Sequence, residues 1–117
     1  MELNNYDLGW IVGFLEGEGS FQAKKIREGE SRRHAAIVVV STELESLNKI
    51  KNLIGGKLYG PYNSKHKTVL RNTKNPKPFW IWNIAKHKEA IDMMNYLKSH
   101  LSQRRQKQIE EVLLKTL

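Results

Sequence analysis

Between Tyr6 and Leu15 the apolar residues fall at helical spacing, with Leu8, Ile11, Val12 and Leu15 on one side and Asn4 and Asn5 ahead of them as candidate caps. A helix is predicted over about Tyr6–Gly17. From Gly19 the period changes to two: Ser20, Gln22 and Lys24 alternate with Phe21 and Ala23, as in a strand with one wet and one buried face. Arg27 to Arg33 reads as the turn of a long hairpin, and Ala35 to Ser41 returns as a second strand that is apolar on both faces. Thr42 followed by Glu45 reads as a capping box, Leu44, Leu47, Ile50 and Ile54 carry a second helix, and Gly55-Gly56 stops it. Lys57–Tyr62 is a third strand broken by Gly60-Pro61. In the fourth, Phe79 to Ile84, Phe79 and Ile81 share one face and Trp80 and Trp82 the other, and one of those faces must be less buried than its residues suggest. A third helix follows from Lys86 to about His100, buried through Ala90, Ile91, Met94, Leu97 and Leu101. Ser102 caps a last one carrying Ile109, Val112, Leu113 and Leu117. The fold class is α+β in the order αββαββαα, without internal repeat, as a single domain over 1–117.

Charge changes that picture more than size does. Twenty Lys and Arg against twelve Asp and Glu give 117 residues a net charge of +8, an imbalance that suits a polyanion such as nucleic acid. The cations concentrate between Asn63 and Pro78, where Lys65, Lys67, Arg71, Lys74 and Lys77 stand among Asn, Thr, Ser and Pro as a cationic loop. There are no cysteines, which excludes disulfides and thiolate zinc sites. His34, His66, His87 and His100 show no paired metal spacing and read as surface or phosphate-adjacent residues. No run approaches the roughly 18 apolar residues of a membrane span, and no signal-like N-terminus is evident, so a soluble chain is expected.

Gly9, Gly13 and Gly17 are spaced four apart and would form one bare stripe along the first helix. Each costs about 1 kcal/mol inside a helix, and close approach of another backbone is the compensating reason. The stripe runs into Glu16 and Glu18 at the helix C-terminus, an unfavourable place for acids until a divalent cation shares it with backbone carbonyls. Here Ile11-Val12-Gly13-Phe14-Leu15-Glu16-Gly17-Glu18-Gly19, followed by Ser20-Phe21, resembles the nonapeptide of the LAGLIDADG homing endonucleases position by position, with Glu for Asp at both acidic positions. The resemblance implies that Glu18 and the Gly17 carbonyl bind a catalytic Mg2+ or another divalent ion such as Mn2+, with Ca2+ binding but not supporting cleavage. Leu101 to Gln108 resembles the family's basic element, and Arg105, with Arg104 second, is the match for the cation that reaches toward the scissile phosphate.

The element order also resembles a LAGLIDADG half-domain across essentially the whole chain. That implies a four-stranded antiparallel saddle on duplex DNA with helices behind it, Ser20, Gln22, Lys24, Ile26, Arg33, Tyr62, Trp80 and Trp82 facing bases, and Lys65, Lys67 and Arg71 holding phosphates. Two-stranded ribbons do enter the major groove and set alternate side chains against base edges. The apolar second strand is either a central strand or one that presses side chains against thymine methyls. One motif in a short chain supplies one acid, whereas cutting a duplex needs two. A homodimer joined through Gly9, Gly13, Phe14 and Gly17 resolves this and calls for a roughly palindromic target. The family then cuts both strands across the minor groove to leave 3′ overhangs. Two other readings stand beside it: a non-catalytic binder of the same fold, such as an intron maturase or transcription regulator, and one half of a two-motif monomeric nuclease. Opening on Met1 with a full set of elements argues for independence.

Overall fold

The structure, a computed structural model, describes residues 2–63 and 77–117. Lys65, Lys67 and Arg71, expected at phosphates, lie outside the described residues.

The elements follow in the expected order: α1 (Asn5–Glu18), β1 (Ser20–Lys25), β2 (Arg33–Ser41), α2 (Leu44–Ile54), β3 (Lys57–Tyr62), β4 (Phe79–Ile84), α3 (His87–Leu97) and α4 (Gln103–Lys115), with a short 3-10 turn at Lys98–His100 between the last two. Asn4 caps α1, its Oδ1 accepting from the Asp7 N–H at 2.7 Å. Ser102 caps α4 by accepting from the Arg105 N–H at 3.3 Å. The capping box expected at Thr42 and Glu45 is not made. Glu43 is the N-cap of α2 without a side-chain cap, and the local bond is instead from the Glu43 N–H to Ser41 Oγ at 2.9 Å.

All four strands pair antiparallel in the order β1-β2-β4-β3, which puts β2, the strand apolar on both faces, in the interior. Side chains directly opposite across a pair share a face, so the register sorts every strand residue. One face carries Phe21, Ala35, Ile37, Val39, Trp82 and Ile84, all buried, and packs on Ile11, Leu15, Leu47, Ile50, Met94, Leu97 and Ile109 of the helices. Met93, which the helical pattern did not single out, joins them, while Leu117 is fully exposed.

Three residues expected on the wet face belong to this one. Trp82 is 0% exposed, donating its Nε1–H to the Gly55 carbonyl at 2.8 Å and so latching the end of α2 to the sheet. Trp80 lies two residues earlier on the same face and packs against the core. Arg33 pairs with Lys25 on the helix side, half-buried, with its Nη1 donating to the Ala23 carbonyl at 2.9 Å. Ile26 falls just past the end of β1, half-buried in the hairpin connection.

The other face is open. It carries Ser20, Gln22 and Lys24 from β1, His34, Ala36, Val38 and Val40 from β2, Phe79, Ile81 and Asn83 from β4, and Lys57, Tyr59 and Tyr62 from β3. The β3–β4 register shifts between Tyr59 and Tyr62, a bulge at Gly60-Pro61 that returns both tyrosines to this face.

Candidate functional site

The segment that ends α1 and begins β1 places two acids a few residues from the open face. From Leu8 to Leu15 α1 has no polar side chain, yet only Ile11 and Leu15 of the whole helix are buried. On one flank Trp10 stacks on Phe14 with ring centroids 4.9 Å apart, and Lys49 Nζ sits 4.5 Å from the centre of the Trp10 ring. Gly9, Gly13 and Gly17 are all exposed, and a Cβ placed on any of them would meet nothing within 4 Å. A helix apolar all round is ordinarily buried on every side, so this chain alone leaves one side of α1 without a partner.

At the helix end the two glutamates diverge. Glu16 is tied to the start of α4: the Ser102 N–H donates to its Oε1 at 2.7 Å and the Ser102 hydroxyl to its Oε2 at 2.8 Å. Arg105 Nε donates to the Glu16 backbone carbonyl at 3.0 Å, satisfying an acceptor that the last helical turn leaves without an internal donor. The Ser102 backbone and hydroxyl hydrogen bonds, with the Arg105 and Arg104 guanidiniums beyond them, hold the Glu16 carboxyl below the usual glutamate range. Glu18 is exposed and has no hydrogen bond or ion pair among the described residues.

Arg105, matched from the sequence to a phosphate-facing cation, is 7% exposed. Its Nη1 donates to Gln108 Oε1 at 2.8 Å, and its guanidinium lies 5.9 Å from the centre of the Phe21 ring. In this chain it fastens α4 to α1. Arg104 keeps a side chain 65% exposed with one terminal nitrogen 3.9 Å from Glu16 Oε2.

Glu16→Gln is expected to weaken the α1–α4 link in a pH-dependent way. Because the folded-state pKa lies below the unfolded one, the carboxylate's contribution is present above the unfolded value and fades as pH falls through the folded one. The variant should therefore be less stable than the parent at pH 7, and the gap should close below the ordinary glutamate pKa of about 4.3. Urea midpoints measured from pH 7 to pH 3 check this, and a gap that stays constant would remove Glu16 from the link.

The residues fit a hard divalent cation in kind. Glu18 offers a carboxylate and Gly17 a carbonyl in the last helical turn, the oxygen donors such ions prefer. No group of three or more His, Cys, Asp or Glu side chains gathers among the described residues, so a cation here would draw further ligands from outside this set.

Ser20, Gln22, Lys24 and Tyr62 lie on the open face, where they were expected. Tyr59, at 43% exposed, and Val40, at 53%, lie there too, and strand parity from Tyr62 missed Tyr59 because the bulge inverts it.

No family model matches the chain, and no curated protein matches it in sequence. Solved structures do match. The homing endonuclease I-CvuI in complex with the I-CreI target aligns with a TM-score of 0.67 at 15% identity, over 95% of this chain and 68% of that one. An archaeal intron-encoded homing endonuclease, I-Vdi141I, complexed with DNA, gives 0.63 at 17% identity, over 92% of this chain and 65% of that one. The I-SmaMI LAGLIDADG homing endonuclease bound to cleaved DNA gives 0.53 at 17% identity, over 95% and 43%. The chain thus spans about two thirds of the first two and under half of the third. At these identities the likeness is one of architecture: the chain has the fold of a LAGLIDADG half-domain.

Proposed function

We propose that this chain is a homing endonuclease: a sequence-specific DNA endonuclease that, as a homodimer, hydrolyses both strands of a long, roughly palindromic duplex and leaves 3′ overhangs. The observation that carries the reading is Glu18, an exposed and unshared carboxylate at the end of a helix with one bare side, two residues before an open sheet face begins at Ser20. Two α1 helices meeting along Gly9, Gly13, Phe14 and Gly17 across a two-fold axis bring two copies of Glu18 together, one for each strand.

A divalent cation held by Glu18 and the Gly17 carbonyl, Mg2+ or Mn2+, would supply charge neutralisation and a more acidic water at the phosphate. The chain's own residues do the rest. Arg105 and Ser102 fix the last turn of α1 through Glu16, so Glu18 is presented on a braced helix end and not on a loose one. Arg104 places an exposed positive charge beside that end, suited to a phosphate oxygen as negative charge builds. The open face, with Lys24, Lys57 and His34 on it, lies in the major groove on either side of the cut.

Incubating the protein with a randomised duplex library and Mg2+ tests this: cut molecules carrying 3′ overhangs should accumulate, and their sequences should converge on an inverted repeat. Binding without cutting under Mg2+ and Mn2+ alike would leave a non-catalytic binder as the better reading. Sedimentation decides between two copies of this chain and one copy that serves as half of a longer nuclease. Affinity should fall steeply with salt, with log K dropping by about 0.9 per phosphate neutralised for each tenfold rise in salt.

A further inference from the structure

The open face changes character along the strands. Its cross-strand rows, taken from the register, are Tyr62–Phe79, then Tyr59–Ile81–Val40, then Lys57–Asn83–Val38–Ser20, then Ala36–Gln22, then His34–Lys24. The first two rows are built from aromatic and aliphatic side chains, and the last two hold the amide, imidazole and ammonium groups able to read donors and acceptors. Val40 is 53% exposed, Tyr59 43% and Tyr62 41%, and the Tyr62 and Phe79 rings lie 5.6 Å apart. β1 leaves the Glu18 end of α1 and runs toward the His34–Lys24 row, so the polar rows lie farther from Glu18 than Ser20 does. Among the described strand residues no carboxylate stands on this face, while Lys24 and Lys57 do. An exposed apolar patch continuous with cations and free of acids suits the floor of a nucleic-acid groove better than a protein or lipid partner.

In the major groove the one apolar feature a base pair offers is the thymine C5-methyl. Spacing agrees with such a use. Successive residues on one face of a strand are about 6.6–6.8 Å apart, close to the rise of two base pairs at about 3.4 Å each. Five rows thus cover a half-site of about ten base pairs.

Resting on the DNA-binding reading above, we propose that Val40, Ile81 and Tyr59, flanked by Tyr62 and Phe79, form an apolar reading patch for thymine methyl groups. The roughly four base pairs under those two apolar rows, the inner ones here, are then selected by methyl contact, and those under the polar rows, the outer ones, by hydrogen bonds from Gln22, Lys24 and His34.

The test uses the full chain and two randomised duplex libraries, one made with thymine and one with uracil, which differ only in that methyl. Duplexes are selected by binding in Ca2+. With thymine, the inner base pairs should become thymine-rich. Replacing those thymines alone by uracil in a selected duplex should weaken binding by about 5-fold or more, while the same replacement at outer positions changes it little. Val40→Ser, at a half-exposed site, should abolish the inner thymine preference and keep the outer consensus. Equal selection from both libraries, or uracil sensitivity confined to outer positions, overturns the methyl-reading patch while leaving DNA binding in place. Failure to enrich any duplex from either library overturns the DNA-binding reading itself, and the patch with it.

Discussion

Glu18→Gln should lower DNA cleavage by about 10^2–10^3-fold, the scale of loss when one preorganised electrostatic group is taken from a hydrolytic site. It should leave the chain folded. Glu18 is exposed, and among the described residues it makes no hydrogen bond or ion pair that the amide would disturb, so stability should change by less than about 0.5 kcal/mol. Duplex affinity measured with metal chelated should also hold within about threefold, because the open face is untouched. Glu16→Gln, only two residues away, should behave in the opposite manner: it loosens the bonds to Ser102 and lowers stability, and activity falls only as far as the braced helix end loosens. The comparison is decisive because the two changes are chemically identical. If Glu18→Gln unfolds the chain, or still cuts at a tenth of the parent rate, the assignment of Glu18 to the phosphate is wrong.

Gly13→Leu should separate the two copies while leaving each intact. A side chain at Gly13 meets nothing within 4 Å in the single chain, and leucine is about 0.8 kcal/mol better than glycine inside a helix, so the isolated subunit should melt no earlier than the parent. In the dimer each copy would push a leucine into closely packed neighbours. Overpacking costs about 1–3 kcal/mol per site, and the two-fold axis counts it twice. The dimer dissociation constant should then rise by at least about 30-fold, and cleavage of both strands should fail with it. Sedimentation across a concentration series reads this directly. A variant that remains dimeric would move the interface off the glycine stripe.

The architecture was readable because it depends on periodicity. The change of period at Gly19, the Gly55-Gly56 stop and Ser102 at a helix start are all local signals, and each marks an element boundary in the structure. The faces of the sheet were harder to assign. Trp80 and Trp82 alternate with Phe79 and Ile81, so four apolar residues in a row give no sign of which pair turns inward. The choice is made by distant partners, Gly55 accepting from the Trp82 ring and the helices filling the space around it. Arg33 misled for a related reason, since a lone arginine at a strand start reads as a wet residue, whereas here it spends a donor on the carbonyl of Ala23 in the next strand. Of the two glutamates, the nonapeptide resemblance singled out Glu18 for the metal but gave Glu16 no task. EGEG holds no local sign of it, since the partner is Ser102, 86 positions away in the chain. Arg105 could not be told from Arg104 by pattern either: the burial of one and the exposure of the other follow from Glu16, whose backbone carbonyl accepts from Arg105 while its carboxylate lies 3.9 Å from Arg104.

The bulge at Gly60-Pro61 has a bearing on how many copies can associate. β1 and β3 form the two borders of the sheet, and a border strand with free amides invites another chain to add on. On β3 the bulge breaks the ladder and Pro61 has no N–H to give, while β1 finishes in Lys24 and Lys25, whose charges repel a like strand. Growth by strand addition is discouraged at both borders. If two copies join through the bare side of α1 as proposed, that isologous contact uses the surface up, so assembly should halt at a closed pair and never run on into fibres.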